Sequence, residues 1–475
     1  MDELVEYAID CGIKLGAEYV EGRLQKDVEK RIGLRNSSPE PPRLVKMKGI
    51  GVRVLVDGSI SFASTNDLTK DNVRRIVETA YKVARVSSRL VKYPVKLSRE
   101  EVVETAWDVK PKIPVENISV EEKFQTLNEM DKTLISESMK IKIPSRVFTL
   151  SDTLQEKFYI NSEGTRIHSK VSRISLNCSL TAFEPGKGTV QRQIQKSESR
   201  GWEAVEEWNL TQLLTEEAQA LNKILNAMKA PKEELDLILG PEVVGIICHE
   251  SCGHPGEMDR ILGREAAQAG ESYLKPDMVG FKVGSEAVTI VDDPTIPHSN
   301  GFYLYDDEGV KAKRRILIKN GVISDFLHNR ETAAELRTKS NGAARAVAYN
   351  REPMIRMANT FMLPGEYTFE ELIEDIKVGV YIKSFTEWNI DDRRYTQRYV
   401  GHEAYMIENG EIKSPVKNPV LEITTPSLYG SIDAVSRTLK FDAASCGKGD
   451  PVQLAPVWLG GPEARLRKVK LGGTS

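Results

Sequence analysis

Apolar residues recur at helical spacing at Leu4, Val5, Ala8, Ile9 and Ile13, and Tyr19 to Leu24 then reads as extended, so the chain opens helix then strand. Ile50, Val52, Val54 and Val56 alternate up to Asp57-Gly58, a tight-turn signal, and Ser59-Ile60-Ser61-Phe62 returns, which predicts a hairpin. A stripe of Val73, Ile76, Val77, Ala80, Val83 and Ala84 predicts a helix from about 70 to 86. Ser119 stands three residues before Glu122 as a capping box, and Phe124, Leu127, Met130 and Leu134 continue the pattern, so a helix is expected from about 120 to about 139. From 145 to about 195 the period falls to two, which argues for antiparallel strands, with the polar stretch 186–200 read as a loop. Thr211 to Lys229 reads as helix, ended by Pro231.

The second half begins with a strand, Leu235 to Leu239, then Gly240 and Pro241. Proline at a first helical position followed by Val243, Val244, Ile246 and Ile247 predicts a buried helix. Beyond 275 short strands meet turn signals: Val288 to Val291 before Asp292-Asp293-Pro294, Ile316 to Ile318 before Asn320-Gly321, and Met406-Ile407 before Asn409-Gly410. One helix, about Phe369 to Lys377, interrupts them. The fold class expected is α+β: a mixed α/β N-terminal domain over 1–230, and a mostly antiparallel-β C-terminal domain over 231–475 built around one helix.

Composition narrows the function classes. With 475 residues, 40% hydrophobic and 28% charged, the chain is globular rather than disordered. Lys and Arg total 66 against 69 Asp and Glu, a net charge of -3, which disfavours a nucleic-acid binder or an anionic-membrane binder. No stretch approaches the ~18 apolar residues of a membrane span, and Met1-Asp2-Glu3-Leu4 lacks the features of a secretory leader, so a cytoplasmic protein is expected. Five cysteines are too few and too odd for a disulfide framework, in keeping with a reducing compartment.

The six histidines are unevenly spread: His249 and His254 flank Glu250 in Cys248-His249-Glu250-Ser251-Cys252-Gly253-His254-Pro255-Gly256. A catalytic zinc ion takes three protein N, S or O donors and leaves a position open, with a carboxylate nearby as general base. The spacing is one residue longer than the usual i, i+4 pair, so on a straight α-helix the two imidazoles would lie roughly 140° apart. Convergence requires a widened π-type turn, or a helix that opens at Gly253, which Pro255 would favour. Cys248 and Cys252 share a face at i, i+4 and read as core packing. The residues alone leave three readings open: a zinc site, a satisfied buried cluster, or a thiol redox pair. A zinc site would need a third ligand from Cys446 or another histidine.

With these residues and a series of further passages, the chain resembles the TldD/PmbA family of zinc metallopeptidases, also called modulators of DNA gyrase. The passages run in order: His249 to His254, Asp306-Asp307-Glu308-Gly309-Val310, Leu317 to Gly321, Pro353 to Thr360, Met362 to Gly365, Glu403 to Gly410, Ser445-Cys446-Gly447-Lys448, and Leu471-Gly472-Gly473-Thr474. The resemblance implies a metallopeptidase of the TldD-like branch, with Zn2+ held by His249, His254 and Cys446 and with Glu250 as general base. It also implies a homodimer, or a heterodimer with a metal-free relative, whose cavity admits unfolded or short peptides bound as an added β-strand. Met354 to Phe361 is the candidate edge, with Arg356, Asn359 and Thr360 as candidate substrate contacts. The alternative function is a zinc-stabilised peptide-binding or modulator protein without hydrolysis. One departure stands out: where a Gly-rich stretch is expected after Gly379 to Ile382, this chain has Phe385-Thr386-Glu387-Trp388-Asn389-Ile390-Asp391-Asp392-Arg393-Arg394. His402 and His298 read as loop or surface histidines.

Overall fold

The computed structural model describes residues 2–137, 141–265 and 270–473. Its first half is organised by four long strands, Tyr19–Arg35, Ser38–Val56, Ser145–Asn161 and Arg166–Glu184, each 17 or 19 residues. Strands of that length can serve two cores, one toward each end. At one end the helices Asp2–Lys14 and Lys70–Ser87 cover Val20, Leu24, Val52 and Val54 with Val5, Ala8, Val73 and Val77. At the other end Val120–Glu137 and Leu210–Leu225 cover Ile32, Leu34, Phe148, Leu150, Ile174 and Leu176. The charged middle of the first strand, Lys26 to Arg31, lies between the two cores and is partly exposed.

The segment 186–200, expected as a loop, is mostly strand: Gly188–Glu198 pairs antiparallel with Arg166–Glu184. Only Val190 and Ile194 carry its apolar signal, the alternate positions being Gln191, Gln193 and Gln195, so a real period of two looks merely polar. The helix read over 211–229 ends at Leu225, and Met228–Lys229 instead pairs with Val416 and Lys417. The expected helix end at 139, and Thr474 of the last passage, lie outside the described residues.

In the second half, Glu234–Leu239 is flanked by Val378–Ile382 in parallel and by Ala464–Gly473 antiparallel. A second sheet runs Arg315–Lys319, Ile290–Asp292, Asn359–Met362, Gln453–Gly461 and Lys440–Lys448, the last lying at its edge. The α+β class holds. Helix Pro241–Cys248 is buried along its length within the main core. It packs backbone to backbone on Gln453–Gly461: a Cβ on Gly245 would meet Gly460 N at 2.8 Å. That close seat brings the end of the helix beside the edge strand Lys440–Lys448. Among the described residues no helix is long and apolar enough to cross a membrane.

Candidate metal centre

The helix changes pitch where the chemistry begins. After Cys248 the turn His249–Gly253 widens to π geometry, and His254 N donates to His249 O at 3.0 Å, a five-residue span. The extra residue per turn swings His254 round to the side of His249: the two ring centroids lie 4.8 Å apart with planes at 82°. Of the two routes to convergence, the structure takes the widened turn. Ser251 Oγ donates to Ile247 O at 2.6 Å and lies 2.7 Å from Tyr429 Oη, tying the turn into the core. A Cβ on Gly253 would come within 1.8 Å of Met357 Sδ, so a side chain there requires Met357 or the turn to move.

Cys446 comes from the edge strand Lys440–Lys448, with Sγ 3.3 Å from His254 Nε2. One donor atom from each of His249, His254 and Cys446 falls within a 4.8 Å cluster, and all three residues are buried, at 4, 3 and 5% exposure. Burial alone would raise the Cys446 thiol pKa, but His254, His249 and Arg356 hold it well below the usual thiol range. Burial likewise opposes charge on His254, yet the facing Cys446 and Glu257 raise its pKa above the ordinary imidazole value.

Glu257, absent from the sequence reasoning, orients this pair. It is fully buried, and its Oε2 lies 3.1 Å from His254 Nδ1, 3.2 Å from Lys448 Nζ and 3.3 Å from Arg260 Nε. Burial would raise its pKa, but Lys448, His254 and Arg260 keep it well below the carboxylate range. With Nδ1 engaged by Glu257, His254 presents Nε2 toward Cys446, the carboxylate–histidine arrangement that fixes a ligand tautomer. The available signals were a glutamate three residues after His254 and a lysine two residues after Cys446 on the same strand face.

Glu250, next to His249 on the widened turn, points its carboxylate into a cavity of about 490 Å³ that also contains all three donors. Its Oε2 accepts a hydrogen bond from Arg394 Nη1. Two strand segments, 191–195 and 442–447, form part of the wall, and Phe385 and Trp388 form another. The stretch 385–394 is therefore a cavity wall: Phe385–Ile390 pairs with Thr396–Gly401 as a hairpin whose turn carries Arg394.

The three residues proposed to hold substrate are placed elsewhere. Asn359 is fully buried, donating to Asp293 O and Ser299 Oγ and accepting from Gly301 N and Trp458 N. Thr360 Oγ1 donates to Asp292 Oδ1 at 2.8 Å. Strand Asn359–Met362 is paired on both sides, by Ile290–Asp292 and by Gln453–Gly461, so it offers no edge to a peptide. Arg356, also buried, braces the centre from behind by donating to Cys446 O and to Gln453 O. His402 lies in the loop between Thr396–Gly401 and Ala404–Glu408, as expected, but is not at the surface: it is 3% exposed, and burial together with the Arg192 charge lowers its pKa to about 4. Cys248 and Cys252 are free thiols whose pKa burial pushes up, which removes the thiolate a redox pair needs.

Models of the PmbA/TldA metallopeptidase domains match residues 20–84 (domain 1), 113–223 (central domain) and 232–473 (C-terminal domain). The chain belongs to the TldD/PmbA metallopeptidase family. Within it, a metalloprotease of Methanocaldococcus jannaschii is 30% identical over 459 residues, covering 97% of each chain. A Saccharolobus solfataricus protein named zinc metalloprotease TldD homolog is 29% identical over 465 residues, covering 97% of this chain and 98% of its own. The structure of TldE from Thermococcus kodakarensis superposes with a TM-score of 0.76 at 18% identity, covering 99% of this chain and 100% of that one, and so shares the family fold. The family expected from the ordered passages is thus shown.

Proposed function

We propose that this chain is a zinc-dependent peptidase that hydrolyses short or unfolded peptides. The observation that carries the reading is the convergence of His249, His254 and Cys446 at the wall of a cavity that also receives Glu250. The residues fit the metal: a buried thiolate facing two imidazoles is a donor set that calls for a cation, and His249 Nδ1 is buried without a partner among the described residues. His249, His254 and Cys446 would hold the ion, and zinc when bound supplies Lewis-acid polarisation of a peptide carbonyl and of water.

The protein's own groups do the rest. Arg394 fixes one oxygen of Glu250, Oε2, and the other oxygen of this cavity-lining residue, Oε1, is assigned the proton transfer. Glu250 Oε1 takes a proton from the attacking water and returns it to the departing amine. Glu257 holds His254 in its tautomer, and the buried setting of the donors excludes bulk solvent from them. A peptide bound as an added strand finds its edge at Lys440–Lys448, which carries Cys446 and pairs only with Gln453–Gly461 among the described residues. Main-chain hydrogen bonds there would supply affinity with little demand on sequence. The reading includes cytoplasmic location and a dimer, either of two copies or with a metal-free relative, which light scattering with and without that relative resolves.

Metal analysis and peptide hydrolysis of the wild type beside Glu250→Gln test the proposal. Zinc bound near one equivalent in both, with hydrolysis at least about 100-fold slower in the variant, is expected from loss of a general base. Equal hydrolysis by the two proteins refutes Glu250 as the base. Peptide binding without turnover in either would point instead to a zinc-stabilised peptide-binding protein.

A further inference from the structure

Arg394 is aimed, by local construction, at Glu250, the carboxylate assigned as general base. It sits in a hairpin turn with φ of +63°, a left-handed conformation that a side-chain-bearing residue adopts at a cost. The turn is pinned on every side. Arg394 N donates to Asp391 O, Tyr395 N and Thr396 N donate to the Asp391 carboxylate, Tyr273 N donates to Arg393 O, and Thr425 Oγ1 donates to Arg394 O. The side chain is only 10% exposed, yet among the described residues Glu250 is its one acceptor, and Nε is buried without a partner. A guanidinium has five N–H donors in a planar fork, so most of this one's capacity is unspent.

Charge and volume say what the remaining donors face. A divalent cation, the Cys446 thiolate, the Glu250 carboxylate and the Arg394 guanidinium leave the centre with one net positive charge. The other charged groups of the cavity wall are set among one another: Arg192 pairs with Glu217 and Glu242, and the charges around Asp442 are those of Glu242, Lys196, Arg192 and Glu217. A cavity of about 490 Å³ is of small-ligand size, so a peptide of a few residues fits in it with a chain end at its wall. An α-carboxylate is planar and takes two parallel N–H bonds from an arginine fork, whereas a single developing oxyanion needs one.

We infer that Arg394 is a specificity residue that receives the free α-carboxylate of the peptide, so that the substrates are peptides with an open C-terminus, cut close to that end. The inference rests on the peptidase reading for the cut, but not for the binding. It also gives a role to the segment 385–394, where bulky and charged residues replace the expected glycines: the hairpin supplies a fixed cation that a flexible stretch would not.

The probes are N-acetyl-trialanine and its C-terminal amide. Binding is measured by calorimetry on the metal-free full-length chain, where nothing is cut, and hydrolysis on the zinc-loaded chain. The free acid is expected to bind at least about tenfold more tightly than the amide, as a charge-assisted pair requires. In Arg394→Gln the two ligands should bind within about twofold of each other, with affinity for the amide little changed, and Arg394→Lys should restore part of the preference. Equal binding of acid and amide by the wild type overturns the inference, as does a preference that survives in Arg394→Gln. If the variant does not fold, the wild-type comparison decides alone. A wild type that prefers the acid but hydrolyses neither peptide leaves the inference standing and removes the peptidase reading. Hydrolysis of both with equal KM and kcat does the reverse.

Discussion

Glu257→Gln should weaken zinc binding far more than it weakens the fold. The carboxylate is fully buried and is shared by His254, Lys448 and Arg260 within 3.1 to 3.3 Å. Glutamine keeps the volume and one acceptor but removes the charge. Lys448 is not stranded by the change, because its Nζ keeps both Asp259 oxygens at 2.8 Å and Ile355 O at 2.9 Å. The stability cost is therefore that of weakened hydrogen bonds, about 1–3 kcal/mol, and not the larger cost of an orphaned buried cation. His254, however, loses the anion that fixes its tautomer and sustains its basicity, for which about 10- to 100-fold in metal affinity is the usual loss. A chelator-competition titration of zinc, paired with thermal unfolding of the metal-free protein, reads the two effects separately. Unchanged zinc affinity alongside lowered stability would show that Glu257 supports the fold alone, and the orienting argument would be wrong.

Other substitutions probe other links of the chain. Cys446→Ser should abolish stoichiometric zinc by metal analysis while leaving the far-UV spectrum intact, and retention of one equivalent would exclude Cys446 as a ligand. Gly253→Ala should cost about 1–3 kcal/mol in chemical unfolding, because its Cβ would sit 1.8 Å from Met357 Sδ and Met357 or the π turn must shift. Asn359→Ala should destabilise by about 1–3 kcal/mol yet leave the KM for peptides unchanged, since its amide is spent inside the sheet; a raised KM in a stably folded variant would return it to the substrate site. Asp442, a carboxyl on the cavity wall, has its pKa raised to about 6 by burial and by the nearby Glu242. The folded state thus holds its proton more tightly than the unfolded chain, so stability falls as pH rises from about 4 to about 6 and is level above that. Asp442→Asn lacks this loss, and its melting temperature relative to wild type should rise across that window; a difference independent of pH refutes the assignment.

What the sequence made legible was local. His249, Glu250 and His254 can be picked out, and a widened turn named as one of two routes to their convergence, because five residues of helix fix their own angular relations. Cys446 could be offered only as one of several third ligands from the residues themselves. Its place depends on helix Pro241–Cys248 seating on Gln453–Gly461 and on that strand pairing with Lys440–Lys448, two long-range facts. The strand Gly188–Glu198 was hidden because glutamines occupy its cavity-facing positions, and a polar face turned to a cavity carries the composition of a loop.

The misplaced substrate strand has a more general cause. Of the expected edge Met354 to Phe361, Met354–Ile355 pairs on one side only, with Ala344–Arg345, among the described residues, but the run Asn359–Met362, buried at all four positions, is what a strand covered on both faces and paired on both sides looks like. Periodicity reports which faces of a strand are buried. It does not report whether a neighbour occupies the hydrogen-bonding edges, because main-chain donors and acceptors are the same at every residue. Edge or interior is decided by strand order, and here the order leaves Lys440–Lys448, among the described residues, hydrogen-bonded to a strand on one side only, beside the candidate metal centre. Proline placed on that strand where a main-chain N–H faces the open edge should therefore abolish peptide binding while sparing zinc, whereas alanine at the same positions should leave both intact. Peptide affinity that survives such a proline, in a protein that still folds and binds zinc, would rule out strand addition at this edge and leave the cavity's side chains, Arg394 foremost, to hold the substrate alone.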